Sequence, residues 1–337
     1  MEVSVVVPVY NSEKTLMRTL TALQGQTFQD FEVLLVDNCS RDRSGEICRA
    51  FCRQDPRFRY IYTDVKGVSN ARNLGMSMAE GTYLCFCDAD DCPDRLMLET
   101  LRNDIVQYHT DCVMCNYYTE RDQCNSEFGE GLEGILDHGQ ICEMLVPRMF
   151  SSTAQEPAVW GTVWRCIFSR EKIHHNRLQF DCRLTFAEDL CFLLTYLCAA
   201  DSIYLEPRVL YRYMMTEGSA MLSYHHFKPD LAQERVYLIQ TLQQILQENG
   251  IYEAHQSDIN TIFQEYILEC VGNAAIINET HSFAEARKEI RALAGNPTVK
   301  NVFRTVTTDN LKHRMVFLLI KYRCSLLLTV YYRIRRG

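Results

Sequence analysis

The chain carries no surplus of positive charge: 35 Lys and Arg stand against 43 Asp and Glu, a formal net charge of −8. A general nucleic-acid binder needs a basic footprint, so nucleic acid is not expected as a partner. No glycine-rich turn follows the first apolar stretch, where Pro8-Val9-Tyr10-Asn11-Ser12 stands instead. That counts against a sugar-phosphate nucleotidyltransferase and against a dinucleotide-binding dehydrogenase. No secretory leader precedes Val3-Ser4-Val5-Val6-Val7, so no signal peptide is read. Internal repeats and low-complexity tracts are missing as well. Tryptophan is scarce, with only Trp160 and Trp164; either could line a sugar-binding pocket, and at least one is expected in the core.

What is present reads as a globular α/β protein. With 337 residues, 47% of them hydrophobic, the chain can bury one large core or two smaller ones. Its 16 cysteines are scattered through apolar segments, which suits a reducing cytoplasm. Cys112-Val113-Met114-Cys115 has C-x-x-C spacing but lies in a strand-like run without a second pair, so it reads as buried structural cysteine. The pattern predicts strands at 3–9, 31–37, 59–63, 82–87 and 112–117, with amphipathic helices at 12–24, 44–53, 68–78 and 94–108. Asn11 or Ser12 is the expected cap of the first helix and Asp94 opens the fourth. Such alternation implies right-handed βαβ units and a mostly parallel sheet. A polar stretch at 120–134 reads as a long mobile loop. Residues 157–213 mix aromatics, short strands and a helix near 188–199, and helix-period spacing dominates at 231–247, 259–277 and 283–294.

The chemistry concentrates at predicted strand ends. Asp88-Ala89-Asp90-Asp91 follows the buried run Tyr83-Leu84-Cys85-Phe86-Cys87. In an open α/β sheet, that edge is where ligands bind. Carboxylates packed this closely repel unless a divalent cation neutralises them; a solvated turn that caps the next helix is the plainer alternative. Asp37-Asn38 closes the second strand and Tyr10 the first, while Gly67-Val68-Ser69-Asn70-Ala71-Arg72 enters a helix whose N-terminus, with Arg72, can receive phosphate. A ring, a hydrogen-bonding pair, a phosphate cradle and an acid cluster together describe a nucleoside-diphosphate site.

These pieces resemble the donor-binding half of inverting family-2 glycosyltransferases of bacterial cell-surface polysaccharide type. The resemblance rests on Ser4-Val5-Val6-Val7-Pro8-Val9-Tyr10-Asn11, Gln26-Thr27-Phe28, Phe31 through Asp37, Gly67 through Gly75 and Asp88-Ala89-Asp90-Asp91. It continues more loosely through Trp160-Gly161, Ala187-Glu188-Asp189, Tyr211-Arg212-Tyr213 and Ser219. It implies a GT-A fold, Rossmann-like with a mostly parallel sheet flanked by helices, extended by helices after about residue 220. The expected division is a transferase domain at 1–220 (nucleotide half 1–118, acceptor half 119–220), a helical region at 221–309 and a basic amphipathic tail at 310–337. By the resemblance, Pro8, Tyr10, Asp37 and Asn38 frame the base, Gly67 and Arg72 serve the phosphates and Asp88 faces the ribose. Asp90, with Asp88, holds Mg²⁺ or Mn²⁺, and His225 is a candidate further ligand. Asp189, beside Glu188, is the implied general base; acids in a helix's first turn are also favoured by its dipole.

Relatives commonly carry Asp-Asp-Gly-Ser where this chain has Asp37-Asn38-Cys39-Ser40. An Asn carbonyl still accepts from uracil N3–H, so a UDP-sugar remains the expected donor, and Cys39 suggests a somewhat different turn. The expected acceptor is a hydroxyl of a glycan or lipid-linked sugar. Residues 310–337 hold seven Lys or Arg and no acid among short apolar runs, so subtracting those seven charges from −8 leaves −15 on the rest. The runs are too short to span a bilayer. A helix lying in an anionic membrane surface on the cytoplasmic side is expected, with packing on the protein or a homodimer interface as alternatives. The functional rival is a non-catalytic nucleotide-sugar-binding partner of an active transferase.

Overall fold

The computed structural model describes residues 1–120, 123–150, 159–214, 227–277, 281–304, 311–322 and 324–336. The chain divides into two compact units, Met1–Thr216 and Glu217–Gly337.

The first unit is built on one sheet of ten strands: β1 (Val3–Val9), β2 (Phe31–Asn38), β3 (Phe58–Thr63), β4 (Tyr83–Phe86), β5 (Cys92–Pro93), β6 (Cys112–Thr119), β7 (Cys124–Asn125), β8 (Gly134–Asp137), β9 (Cys166–Ser169) and β10 (Ser202–Tyr213). The order is β3-β2-β1-β4-β9-β6-β10-β5, with β7 on β6 and β8 on β10. The long ladders β1–β2, β1–β4, β2–β3 and β6–β10 are parallel. Helices α1 (Leu16–Gln24), α2 (Ser44–Cys52), α3 (Val68–Met78) and α4 (Met97–Tyr108) follow the alternating pattern. Short helices α5 (His138–Gln140), α6 (Val146–Arg148) and α7 (Arg170–His175) precede α8 (Glu188–Ala199).

Strand β1 is central because its side chains are apolar on both faces, and Val5, Val6 and Val7 are completely or almost completely buried. Gly75 of α3 lets that helix press on β1: a Cβ there would lie 2.4 Å from Val6 Cγ1. Strand β9 runs antiparallel between β4 and β6, so a segment of the chain's second half sits inside the sheet. Its four residues are too few for a period to show. Cys112 and Cys115 lie buried in β6, and burial pushes both thiols up.

Three local expectations change. Helix α1 starts at Leu16, not residue 12, and Thr15 rather than Asn11 or Ser12 is its cap position. The preceding residues are committed to the loop before α2: Ser12 N–H donates to Ser44 Oγ (2.8 Å) and Glu13 accepts from Arg43 N–H (3.1 Å). Helix α4 starts at Met97, because Cys92-Pro93 pairs with β10 and Asp94 accepts from Leu96 N–H instead of capping. The 120–134 stretch is no plain loop: β7 pairs with β6, Ser126 N–H donates to Tyr117 O (2.7 Å), and Phe128 and Leu132 are buried. Its spacing Gly129-x-Gly131-x-x-Gly134 runs into strand β8 rather than a helix N-terminus, so it makes no dinucleotide fingerprint.

The second unit is helical: α9 (Leu231–Glu248), α10 (Ile251–Ala254), α11 (Gln256–Ala274), α12 (Phe283–Gly295), α13 (Pro297–Val302), α14 (Leu311–Lys321) and α15 (Ser325–Arg336). Leu242, Phe263, Ile267, Ile290, Val299 and Leu328 are buried in it. Ser282 and Glu285 form a capping box on α12, and Asn296 with Pro297 opens α13. Arg235, 4% exposed, makes two hydrogen bonds to Glu269. Among the described residues, no helix is long and apolar enough to cross a membrane.

Candidate active site

The parallel register sets Val9 beside Asp37, bringing the ends of β1 and β2 to one edge. There Tyr10 is 53% exposed, an aromatic face open to solvent, with Pro8 partly buried behind it. Asp37 is buried; its carboxylate accepts from Ser40 N–H (3.0 Å) and from the Tyr60 hydroxyl (2.8 Å). Burial, then Asp37, pushes Tyr60 up to about 12, so it stays a donor to that carboxylate. Asn38 is buried and clamps the loop before α3: its amide donates to Val65 O (2.7 Å) and its carbonyl accepts from Gly67 N–H (2.8 Å). Cys39 takes a left-handed φ of 62°, the conformation a glycine would adopt there without strain. The Cys39 thiol is held 3.2 Å from Thr63 O.

Gly67, at φ 119°, opens α3 in a conformation that a side chain rarely takes. One turn into α3, Arg72 is 4% exposed. Its guanidinium donates to Glu188 (2.8 Å) and Asp88 (3.1 Å) and lies over the Phe180 ring. Burial disfavours its charge, but Asp88, Glu188 and Asp189 outweigh that and hold the cation. Arg72 is therefore no open phosphate receptor in this structure. It ties the end of β4 to the start of α8, with only its buried Nε left without a partner.

In the acid cluster, Asp88 and Asp90 are partly exposed and Asp91 is fully buried. Asp91 accepts from the Tyr211 hydroxyl (2.9 Å) and Met214 N–H (2.9 Å). Burial, then the charges of Asp88 and Asp90, drives Asp91 well above the usual carboxylate range. The same hydroxyl accepts from Asp88 N–H (3.2 Å), and the Tyr211 ring stacks on Trp164 at 4.4 Å. Among the described residues, no three His, Cys, Asp or Glu side chains converge into a ready metal cage. Two accessible carboxylates nonetheless suit Mg²⁺ or Mn²⁺, which take few protein oxygens and complete their shell with phosphate and water. His225 and Ser219 lie outside the described residues.

Ala187, in a left-handed turn at φ 57°, starts α8 so that Glu188 and Asp189 occupy its first turn. Burial, then Glu188, pushes Asp189 up to about 7 against the pull of Arg72. A carboxylate poised there can both hold and release a proton near neutrality. Gly161 packs against this turn: a Cβ there would come within 2.2 Å of Leu190 Cδ1. Trp164 is buried and stacked, as expected for one of the pair, while Trp160 is partly exposed. The sequence reading missed Tyr211 and Asp91 as the brace behind the acids. The only signal was their presence in motifs whose other residues had roles.

The chain matches the family model for Glycosyl transferase family 2 over residues 4–177. It is 28% identical to the uncharacterized glycosyltransferase EpsJ of Bacillus subtilis (strain 168), covering 99% of this chain and 96% of EpsJ. Identity to glycosyltransferase GlyG of Streptococcus pneumoniae serotype 4 is 31%, covering 65% of this chain and 72% of GlyG. The crystal structure of S. aureus TarS 1–349 with UDP-GlcNAc superposes with a TM-score of 0.69 at 19% identity, covering 100% of this chain and 92% of that one. That likeness is one of fold. With a strand-end acid cluster linked through Arg72 to the first turn of α8, and with these relatives, the chain belongs to glycosyl transferase family 2, a glycosyltransferase of GT-A fold.

Proposed function

We propose that the protein transfers a sugar, with inversion, from a UDP-sugar to a hydroxyl of a glycan or lipid-linked acceptor in cell-surface polysaccharide synthesis. The observation that carries the reading is the Arg72 bridge, which couples the donor-side acid Asp88 to Glu188, next to Asp189. Tyr10 offers a face for the base, while Asp37 and Asn38 shape its pocket. Asp189 takes the proton from the acceptor hydroxyl as that oxygen attacks the anomeric carbon. Asp88 and Asp90 would hold Mg²⁺ or Mn²⁺, which would supply charge compensation to the departing diphosphate. TarS, which shares the fold, crystallised with UDP and with UDP-GlcNAc, supports a uridine donor; a mannosyltransferase of similar fold is in complex with GDP-Man and Mn²⁺. A membrane-presented acceptor suits the basic segment at 310–337, and with it a cytoplasmic, peripheral placement.

Calorimetric titration of UDP and GDP, with and without Mn²⁺, tests the donor site. Metal-dependent binding of UDP, lost in Asp90→Ala, is expected; no binding of either nucleotide would overturn the reading. Asp189→Asn should keep nucleotide binding while turnover falls by a factor on the order of 10²–10⁴.

A further inference from the structure

Helices α14 and α15 wear their apolar residues on both sides. Val316, Ile320 and Leu328 are at most 3% exposed and pack into the helical unit, with Ser325 and Thr329 buried beside them. That inner set satisfies the usual reason for an apolar stripe on a surface helix, whose outer face should then be polar. It is not. Met315, Leu318, Tyr322, Leu326, Leu327 and Val330 are 38–69% exposed. Among described residues 315–332, Lys321 is the only other exposed one. Met315 and Leu318 stand at i and i+3 on α14, and Tyr322 follows directly after its last residue. Exposed apolar residues scattered singly mean nothing, but stripes on two helices that pack together mark an interaction site.

We propose that this outer face of α14 and α15 docks the protein on an anionic phospholipid bilayer. The occupant follows from charge. Residues 310–337 hold seven Lys or Arg and no acid, while the rest of the chain carries −15 once those seven charges are subtracted from −8. A second copy would bring this base-rich, acid-free segment against another like it, whereas anionic headgroups complement its charge. A bilayer with anionic headgroups accepts the bases, while its acyl boundary takes Leu318, Leu326 and Leu327. Tyr322 suits the interface, with an apolar ring and a polar tip. Neither helix can span the bilayer, so both lie along its surface. This surface acts independently of the donor-site reading.

Co-sedimentation of the full chain with phosphatidylcholine vesicles, with and without phosphatidylglycerol, tests it. Binding should be at least about ten-fold stronger with the anionic lipid and should weaken as salt rises. The double variant Leu326→Glu with Leu327→Glu should lose that binding while keeping the thermal midpoint, since both positions are exposed. Leu327→Ser, which adds no charge, should weaken binding in the same direction. Binding unchanged in these variants, no preference for the anionic lipid, or a dimer by light scattering that the variants dissolve without vesicle binding by wild type, would each overturn the proposal.

Discussion

Asp189 shows how one side chain's surroundings set its chemistry. Burial and the adjacent Glu188 raise it to about 7, while Arg72 pulls the other way. As the proposed base, Asp189 must be unprotonated to work, so kcat/KM is expected to fall about ten-fold per pH unit below that value and level off above it. Glu188→Gln withdraws a negative neighbour, so the acid limb should move to lower pH; pH–rate profiles of both proteins check the sign. Tyr211 is the second informative residue. Tyr211→Phe keeps the ring on Trp164 but leaves the buried Asp91 carboxyl one donor short. A loss of about 1–3 kcal/mol in urea denaturation is expected, together with weaker Mn²⁺ activation if the brace aims Asp88 and Asp90. The motif acids were legible because strand-end carboxylates form a local pattern. Tyr211 was not, since its partners lie 120 and more residues away.

At the scale of elements, the α3–β1 contact is tight enough to require a glycine. Gly75→Ala would drive a Cβ against Val6, a β-branched residue that is fully buried and stiff at χ1. Overpacking there should cost about 1–3 kcal/mol, measured by denaturant midpoint. Because α3 carries Arg72, a shift of that helix should also lower kcat. The periodic elements β1 to β4 and α2 to α4 were readable from apolar spacing: β1 and α3 match at both ends, and the others end within three residues of the expected bounds. Helix α1 began four residues late because Ser12 and Glu13 bond across to the α2 loop, a contact no local pattern announces. Strand β9 was unreadable for a related reason: it is short and is held by β4 and β6, both distant in sequence. Strand β7 pairs with its neighbour β6, but its two residues are too few for a period to show.

For the molecule as a whole, the helical unit depends on its last two helices in a way their basic composition hides. A chain ending at Arg304 would lose Val316, Ile320 and Leu328 from that core. Its calorimetric unfolding is expected to show a lower midpoint for the helical unit and increased aggregation, whereas the exposed Leu326→Glu change should leave the midpoint in place. By itself the sequence determined the α/β class, the family, the strand-end acids and the helical character of the second half. Each is written in neighbours or in a period of two or 3.6 residues, which physics reads locally. Tertiary structure alone decided the rest. It made Arg72 a bridge between groups 16 and 116 residues away. It buried Asp91, raised Asp189 and sorted the apolar residues of α14 and α15 into an inner and an outer face. Burial and charge coupling depend on which distant surfaces the chain brings together, and only the folded chain fixes that.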